Sequence, residues 1–137
     1  MRKDAKLELL REVPLFAGCT KKELGEISTL ADELSLPEGV KLIEEGRQGH
    51  EFFLLVDGTV DVSAKGREAK TLGPGSFFGE MALVSNRPRN ATVTATTPVS
   101  VLVVHESGFR RLLHDSPQIQ LKVLQTLADR AAENALH

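Results

Sequence analysis

Residues 74–93 read PGSFFGEMALVSNRPRNATV, and the second arginine of this stretch, Arg89, gives the strongest indication of function. Residues 91–95, ATVTA, form a predicted strand whose alanine and valine side chains share one face. Because the other face carries only threonine, the alanine–valine face is predicted to point inward. The period of two then places Arg89 on this inward face. A buried guanidinium without an anion is costly, so its charge requires a partner.

The charge of Arg89 could be compensated in two ways, by the carboxylate of Glu80 or by a bound anion. Glu80 stands nearby in the sequence, and the two side chains would be adequate as a buried structural pair. Gly75 and Gly79 favour a bound anion instead, because they remove side chains from the backbone where a short helix begins. Free amides at a helix N-terminus attract anions. Arginine also presents a planar fork that suits bidentate phosphate recognition.

The same residues restrict the chemistry of such an anion. A carboxylate in the pocket would repel a bare phosphate, so Glu80 is predicted to accept a hydrogen bond from a sugar hydroxyl. A ligand that carries a phosphate and a neighbouring hydroxyl is a nucleotide. One arginine and a few amides suit a singly charged phosphodiester better than a triphosphate, which usually brings magnesium and lysine.

Five glycine-centred turns divide the middle of the chain, from about residue 35 to 104: PEG at 37–39, EEG at 44–46, VDG at 56–58, AKG at 64–66 and GPG at 73–75. Turns at this regular spacing predict a compact all-β roll, barrel or sandwich. The clearest strands are FFLLV, TVDVSA, AKTL, ATVTAT and VSVLVV. The exception is GEMALVS at 79–85, which is predicted to form one or two helical turns between strands.

Helices are predicted on both sides of this region. A short charged helix ends before Pro14, and Thr20 with Glu23 forms a capping box for a second helix whose apolar spacing runs to Leu34. Phe109, Leu112 and Leu113 mark a short helix near the other end. Ser116 and Pro117 then start a last helix over about 117–133.

The last helix carries two apolar stripes. The first contains Ile119, Val123, Leu127 and Ala131, and the second contains Leu121, Leu124, Ala128 and Ala132. One stripe can pack on the roll. The second requires a ligand, a second subunit or an effector domain as its partner.

Composition restricts the class of protein. The 137 residues suffice for one domain, and a net charge of −2 argues against a nucleic-acid binder. The longest apolar run, VSVLVV, is too short to span a membrane. A single cysteine, Cys19, and a charged N-terminus without a signal peptide predict a cytoplasmic protein. The four histidines are scattered, so neither a metal site nor a catalytic nucleophile with its base is predicted, and the chain is not expected to be an enzyme.

FGEMALVSNRPRNATV resembles the phosphate-binding cassette of cyclic nucleotide-binding domains, which occur in the catabolite activator protein, protein kinase A regulatory subunits and cyclic-nucleotide-gated channels. The resemblance covers nearly the whole chain, with VPLFAGCTKKELGEISTLAD similar to the family's N-terminal helices and LPEGVKLIEEGRQGHEFFLLVDGTVDV to its first strands. It implies an α+β, mainly β, fold: an eight-stranded antiparallel, jelly-roll-like β-roll flanked by N- and C-terminal helices. A single domain, 1–137, would comprise N-terminal helices to about 34, the roll at 35–104 with its cassette at 78–92, and hinge and lid helices at 105–137.

The resemblance also implies a role for each site residue. Arg89 would bind the equatorial oxygens of the cyclic phosphate, and Glu80 would accept from the ribose 2′-hydroxyl. The cradle would be completed by Gly79, Met81, Ala82, Asn90 and Ala91. Candidate purine contacts are Val62, Ala64, Leu72 and Arg130, for which a place in the core or on a solvated helix is the alternative. Asn90 stands where threonine in the family is associated with guanine, which leaves selectivity open.

The expected function is therefore reversible binding of a cyclic purine nucleotide, cAMP before cGMP, with no cofactor and with the last helix closing over the ligand. One alternative is an interaction or dimerisation module that keeps the fold without a physiological nucleotide. Another is a DNA-binding regulator, which would need a helix-turn-helix after residue 137. The turn EEGRQGHEFF, residues 44–53, carries Arg47 and His50 where acidic or small residues are commoner, and it is interpreted as surface without a ligand role.

Overall fold

The computed structural model describes residues 2–135, except for the side chains of residues 130, 131 and 133–135. The chain forms two compact units. The helical unit comprises residues up to Leu30 and from Gly108 onward, and the β unit comprises residues 31–107.

The β unit contains eight strands in two four-stranded antiparallel sheets. The strands are β1 (Ala31–Leu36), β2 (Lys41–Ile43), β3 (Glu51–Asp57), β4 (Val60–Ser63), β5 (Lys70–Leu72), β6 (Phe77–Phe78), β7 (Thr92–Ala95) and β8 (Val99–His105). One sheet has the order β1-β8-β3-β6 and the other β2-β7-β4-β5. The predicted eight-stranded antiparallel roll is confirmed.

The core of the β unit is made of residues from both sheets. Its buried members are Ile43, Phe53, Leu55, Val60, Phe78, Val93, Ala95, Val99, Val101 and Val103. Val93 and Ala95 are each 2% exposed, which confirms that the alanine–valine face of β7 points inward. The glycines that centre the five predicted turns all have positive φ: Gly39, Gly46, Gly58, Gly66 and Gly75.

The helical unit contains α1 (Lys3–Arg11), a 3-10 turn (Pro14–Phe16), α2 (Lys21–Ser28) and α4 (Pro117–Ala135), and α3 (Glu106–Asp115) begins in the β unit. Both hydrogen bonds of the predicted capping box form. Thr20 N–H donates to Glu23 Oε1 at 2.8 Å, and Glu23 N–H donates to Thr20 Oγ1 at 3.2 Å. Pro117 is the first residue of α4, as predicted, and Ser116 O accepts from Ile119 N–H at 3.0 Å.

The predicted continuation of the second helix to Leu34, and with it the boundary of the helical region near residue 34, is wrong. Helix α2 ends at Ser28, and the chain enters strand β1 at Ala31. All six residues of β1 pair with β8, from Ala31 opposite Val104 to Leu36 opposite Val99. Leu34 is 46% exposed, so its helical spacing did not reflect a buried helix face. Long-range strand pairing here overrides the local helical pattern.

Candidate functional site

Arg89 lies three residues before β7 and directs its guanidinium into the β unit, where the side chain is only 9% exposed. Nη2 donates to the backbone oxygen of Glu51 at 2.6 Å, and Nη1 donates to the backbone oxygen of Gly79 at 3.3 Å. Two carbonyl groups from separate parts of the chain therefore fix the plane of the guanidinium.

Two glycines, Gly49 and Gly79, leave room for the guanidinium of Arg89 in the position that the structure shows. A Cβ built at Gly49 would lie 1.8 Å from Nε and 2.2 Å from Cζ of Arg89. A Cβ at Gly79 would lie 2.6 Å from Nη1, and its φ of +81° is in the left-handed region that favours glycine. The arginine side chain thus occupies space that only two glycines leave open.

The backbone of Arg89 is held by the turn that precedes β3. Arg89 N–H donates to Arg47 O at 2.8 Å, and Gly46 N–H donates to Arg89 O at 2.7 Å. Residues 46–51 therefore hold the main chain of Arg89 through Gly46 and Arg47, and its side chain through Gly49 and Glu51.

The charge of Arg89 is only partly compensated by the contacts that the structure gives. The Glu51 carboxylate lies 3.9 Å from Nη2, and its own side chain is 35% exposed. Burial lowers the pKa of Arg89 because it disfavours the charged form, and the Glu51 carboxylate opposes that shift. A guanidinium in this state gains from any anion that reaches it.

A pocket of about 680 Å³ opens beside the guanidinium, within the range of small-molecule sites. Its lining comes from β2, β4, β6, β7 and the segment between β6 and β7. The lining residues are Ile43, Val62, Phe78, Gly79, Glu80, Met81, Ala82, Ser85, Arg87, Pro88, Arg89, Asn90, Ala91 and Val93.

The predicted helical segment in this wall is a 3-10 turn of four residues, Glu80–Leu83. Gly79 precedes it, and Gly79 O accepts from Ala82 N–H at 3.1 Å as well as from Arg89. Ala82 and Leu83 are buried, whereas Met81 is 49% exposed. So short a turn has little macrodipole, so its contribution to anion binding is that of individual amides rather than of a helix N-terminus.

The structure brings together all seven residues predicted for the phosphate and ribose cradle. Every one of them lines the pocket: Gly79, Glu80, Met81, Ala82, Arg89, Asn90 and Ala91. Among the predicted purine contacts, Val62 lines it as well. Ala64 and Leu72 are not in the lining, and Leu72 packs against the core. The side chain of Arg130 lies outside the described residues.

Sequence reasoning missed the residues at 46–51 that hold Arg89 in place. The partner considered for its charge was Glu80, but the carboxylate that raises its pKa belongs to Glu51. The turn at 44–53 was interpreted as surface, yet Gly49 within it is buried against the guanidinium. The available signal was a second glycine, Gly49, so close to Gly46, because one glycine suffices for the turn and another can mark a close approach of a different group.

Among the side chains that the structure describes, no group of three or more His, Cys, Asp or Glu residues is placed to hold a metal ion. Over the same described part of the chain, none of the helices combines the length and hydrophobicity needed to cross a membrane.

A family model described as cyclic nucleotide-binding domain matches residues 33–116, which is more than half of the chain. A cyclic nucleotide-gated potassium channel of Mesorhizobium japonicum is 40% identical over 112 residues, which are 82% of this chain and 31% of the channel. A cAMP-dependent protein kinase regulatory subunit of Colletotrichum orbiculare is 40% identical over 108 residues, 77% of this chain and 28% of that subunit. The chain thus spans about a third of the length of these curated relatives.

Two solved structures are similar over most of their length. The N-terminal domain of a transcriptional regulator from Streptomyces coelicolor A3(2) has a TM-score of 0.81 and 30% identity, covering 93% of this chain and 92% of that one. A cyclic nucleotide-binding-like protein from Brucella abortus has a TM-score of 0.73 and 30% identity, covering 81% of this chain and 99% of that one.

Proposed function

The chain belongs to the cyclic nucleotide-binding domain family, which is regulatory rather than catalytic, and from this premise we propose that it is a sensor of a cyclic purine nucleotide, cAMP in preference to cGMP. The supporting observation is Arg89. Its guanidinium is buried at the wall of a pocket of nucleotide size, and its nearest carboxylate contact, Glu51, is at 3.9 Å.

A cyclic phosphate has the charge and shape that this arginine requires. The phosphodiester carries one negative charge, and its two equatorial oxygens match the fork of a guanidinium. Backbone carbonyls of Glu51 and Gly79 hold the guanidinium in place before the ligand arrives, so little ordering is required on binding. Binding of the anion would raise the pKa of Arg89, opposite to the effect of burial.

The rest of the cradle has separate roles. Glu80 accepts a hydrogen bond from the ribose 2′-hydroxyl, and its Oε2 is buried, which strengthens such a bond relative to water. Amides of Met81 and Ala82 on one side and of Asn90 and Ala91 on the other complete the contacts to phosphate and ribose. These residues all line the same pocket, which supports their assignment to one ligand.

The purine is placed against the apolar part of the pocket wall, with Val62 as its first candidate contact. Ala64, Leu72 and Arg130 are weaker candidates, since a place in the lining supports only Val62. Asn90 governs selectivity through its amide side chain. Replacing Asn90 with threonine, the residue associated with guanine in the family, is expected to shift preference toward cGMP by about fivefold, the worth of one hydrogen bond.

Regulation proceeds by a population shift in which helix α4 closes over the bound base. The ligand then needs to favour the closed state by about 1–3 kcal/mol, an ordinary coupling energy. The second stripe of α4 is available for such a role, because Leu121 is 66% exposed and Leu124 is 57% exposed. The state of α4 would be transmitted to an effector domain or a second subunit.

The same exposed stripe favours a second candidate function, an interaction or dimerisation module that uses α4 without a physiological nucleotide. Sedimentation of the wild type and of the Leu121→Gln/Leu124→Gln variant tests it. A dimer that the double substitution dissociates, in a protein without nucleotide binding, would support the module. A monomer with saturable binding would support the sensor.

The direct test is calorimetric titration of the purified protein with cAMP and with cGMP. One-site binding is expected for the wild type, and its loss is expected in Arg89→Ala. Arg67→Ala is the matched control, because Arg67 is an exposed arginine in the turn between β4 and β5. Circular dichroism checks that each variant is folded. Absence of heat with both nucleotides in a folded wild type would reject the sensor.

A further inference from the structure

Three consecutive residues, Gly49, His50 and Glu51, connect the guanidinium of Arg89 with the start of α3, and they are named the 49–51 segment here. Gly49 lies beneath the guanidinium, and Glu51 O accepts from Nη2 at 2.6 Å. His50, between them in the sequence, contacts Glu106. The 49–51 segment therefore contacts the guanidinium of Arg89 and also Glu106 at the start of α3.

The link to Glu106 uses two contacts from a single residue. His50 Nδ1 and Glu106 Oε2 are 2.8 Å apart, and Glu106 N–H donates to His50 O at 2.7 Å. Glu106 is the first residue of α3, and its side chain is 13% exposed, whereas that of His50 is 61% exposed. The carboxylate of Glu106 is thus partly shielded from solvent, whereas the imidazole of His50 is accessible and can exchange protons with water.

We propose that His50 and Glu106 are positioning residues that hold the 49–51 segment beneath Arg89, so that protonation of His50 tightens nucleotide binding. The inference rests on the proposed function and adds a regulatory input to the same site. An imidazolium donates a charge-assisted hydrogen bond to a carboxylate, which is stronger than that of neutral imidazole. The firmer link restrains Gly49 and Glu51, and hence the guanidinium between them.

The charged groups around His50 fix the sign of the effect. Glu106 faces it from α3, and Glu51 follows it along the chain, opposite His105 of β8 in the strand ladder. Arg47 in the same turn pairs with Glu44 at 2.9 Å. Arg89 is the cation beyond Gly49. A protonated His50 donates a stronger hydrogen bond to Glu106, and the ligand phosphodiester does not titrate in the histidine range, so affinity is expected to rise as the pH falls.

The experiment measures the dissociation constant for cAMP between about pH 8 and pH 5.5, the range in which histidine changes charge. The wild type is expected to bind about two- to fivefold more tightly at the lower pH, as for an exposed ion pair. His50→Gln is expected to lose this dependence. His105→Gln is the matched control, an exposed histidine on the neighbouring strand end that should keep it.

Glu106→Gln separates positioning from simple attraction between His50 and the ligand. In this variant Glu106 no longer offers His50 a charged hydrogen-bond acceptor, so the pH dependence is expected to disappear. If Glu106→Gln keeps the full dependence, or if His50→Gln does, the inference is overturned while the sensor function stands. If the wild type binds neither cAMP nor cGMP at any pH, both the proposed function and the inference fail.

Discussion

Each unit of the molecule contains a buried charged group: the carboxylate of Glu23 in the helical unit and the guanidinium of Arg89 in the β unit. The two charges are compensated in different ways. In the helical unit, Glu23 is 6% exposed and contacts Lys122 Nζ at 2.5 Å and Thr20 N–H at 2.8 Å. In the β unit, Arg89 has two backbone carbonyls and a carboxylate at 3.9 Å. Glu23 therefore has a cationic partner, Lys122, at close range, whereas the charge of Arg89 is only partly compensated and can interact with a bound anion.

The pKa values express this difference. Both are lowered, but the sign has opposite meanings for an acid and a base. The hydrogen bond from Lys122, and then that from Thr20, lowers the pKa of Glu23 by stabilising its charged form. Burial lowers the pKa of Arg89 by destabilising its charged form. A stabilised charge indicates a structural role, and a destabilised one indicates a site that gains from a ligand.

The largest expected effect comes from removing the incompletely paired charge. Arg89→Ala should cost about 3 kcal/mol of cAMP binding free energy, roughly 100-fold in affinity, because the phosphate loses its guanidinium. The free energy of unfolding should change by less than about 1 kcal/mol, since the desolvation cost disappears with the charge. Calorimetry and urea denaturation measure the two quantities. An unfolded Arg89→Ala protein would mean that Arg89, like Glu23, is structural.

A smaller effect is expected from displacing Arg89 while keeping it. Gly49→Ala introduces a Cβ where Nε and Cζ lie, and the flexible side chain must move away. Affinity for cAMP should fall by about tenfold, because the guanidinium leaves the position in which it would meet the phosphate. The loss of folding stability should be small, because the group that moves is the end of a flexible side chain. Gly73→Ala is the control, because a Cβ there meets nothing within 4 Å. Equal affinities in the two variants would show that the position of the guanidinium is unimportant.

Glu23 should show the opposite pattern, a loss of stability without a loss of affinity. Glu23→Gln removes the charged pair with Lys122 and weakens the helix cap, at a cost of about 1–2 kcal/mol in the free energy of unfolding at neutral pH. Because the folded pKa is lowered, this stabilisation is present above the ordinary value of 4.5 and is lost as the pH falls through the folded pKa. Urea denaturation of both proteins across pH 3 to 7 measures the difference, which should shrink only at the acidic end. A difference that is constant over this range would exclude the ionised pair as its source.

The smallest effect on affinity is expected from removing the carboxylate that partly compensates the charge of Arg89. Glu51→Gln removes the carboxylate near Nη2 but keeps the backbone carbonyl that holds it. Affinity for cAMP should increase by about twofold at low ionic strength, and the gain should fade as salt is added, because the carboxylate is partly exposed. Titration at two salt concentrations measures it. A weaker affinity in Glu51→Gln would show that the carboxylate positions Arg89 rather than competing with the ligand.

The sequence predicted the parts of this site that depend on local pattern. The alternation in ATVTA places Arg89 on the inward face, and glycine-centred turns predict the roll. The family resemblance adds the cradle residues, which the structure brings into one pocket. The capping box of α2 was also readable, because all of its atoms lie within four consecutive residues.

What could not be predicted depends on residues far apart in the chain. Glu51 contacts Arg89 across 38 residues, and nothing in the local sequence indicates that pairing. The end of α2 was misplaced for the same reason, since β1 exists only because β8 pairs with it. Ala31 and Leu34 continue the helical spacing, but a ladder with residues 99–104 outweighs that preference.

The separation between residues 46–51 and Arg89 also has a kinetic consequence. The hydrogen bonds that hold this arginine join distant segments, and such long-range contacts are slow to form. A nucleotide therefore has no complete site to bind until the roll has closed, late in folding. Interactions that are absent from the folding transition state slow unfolding and leave the folding rate nearly unchanged. Bound cAMP is accordingly expected to extend the lifetime of the folded chain rather than to help it fold, which stopped-flow unfolding with and without nucleotide would measure.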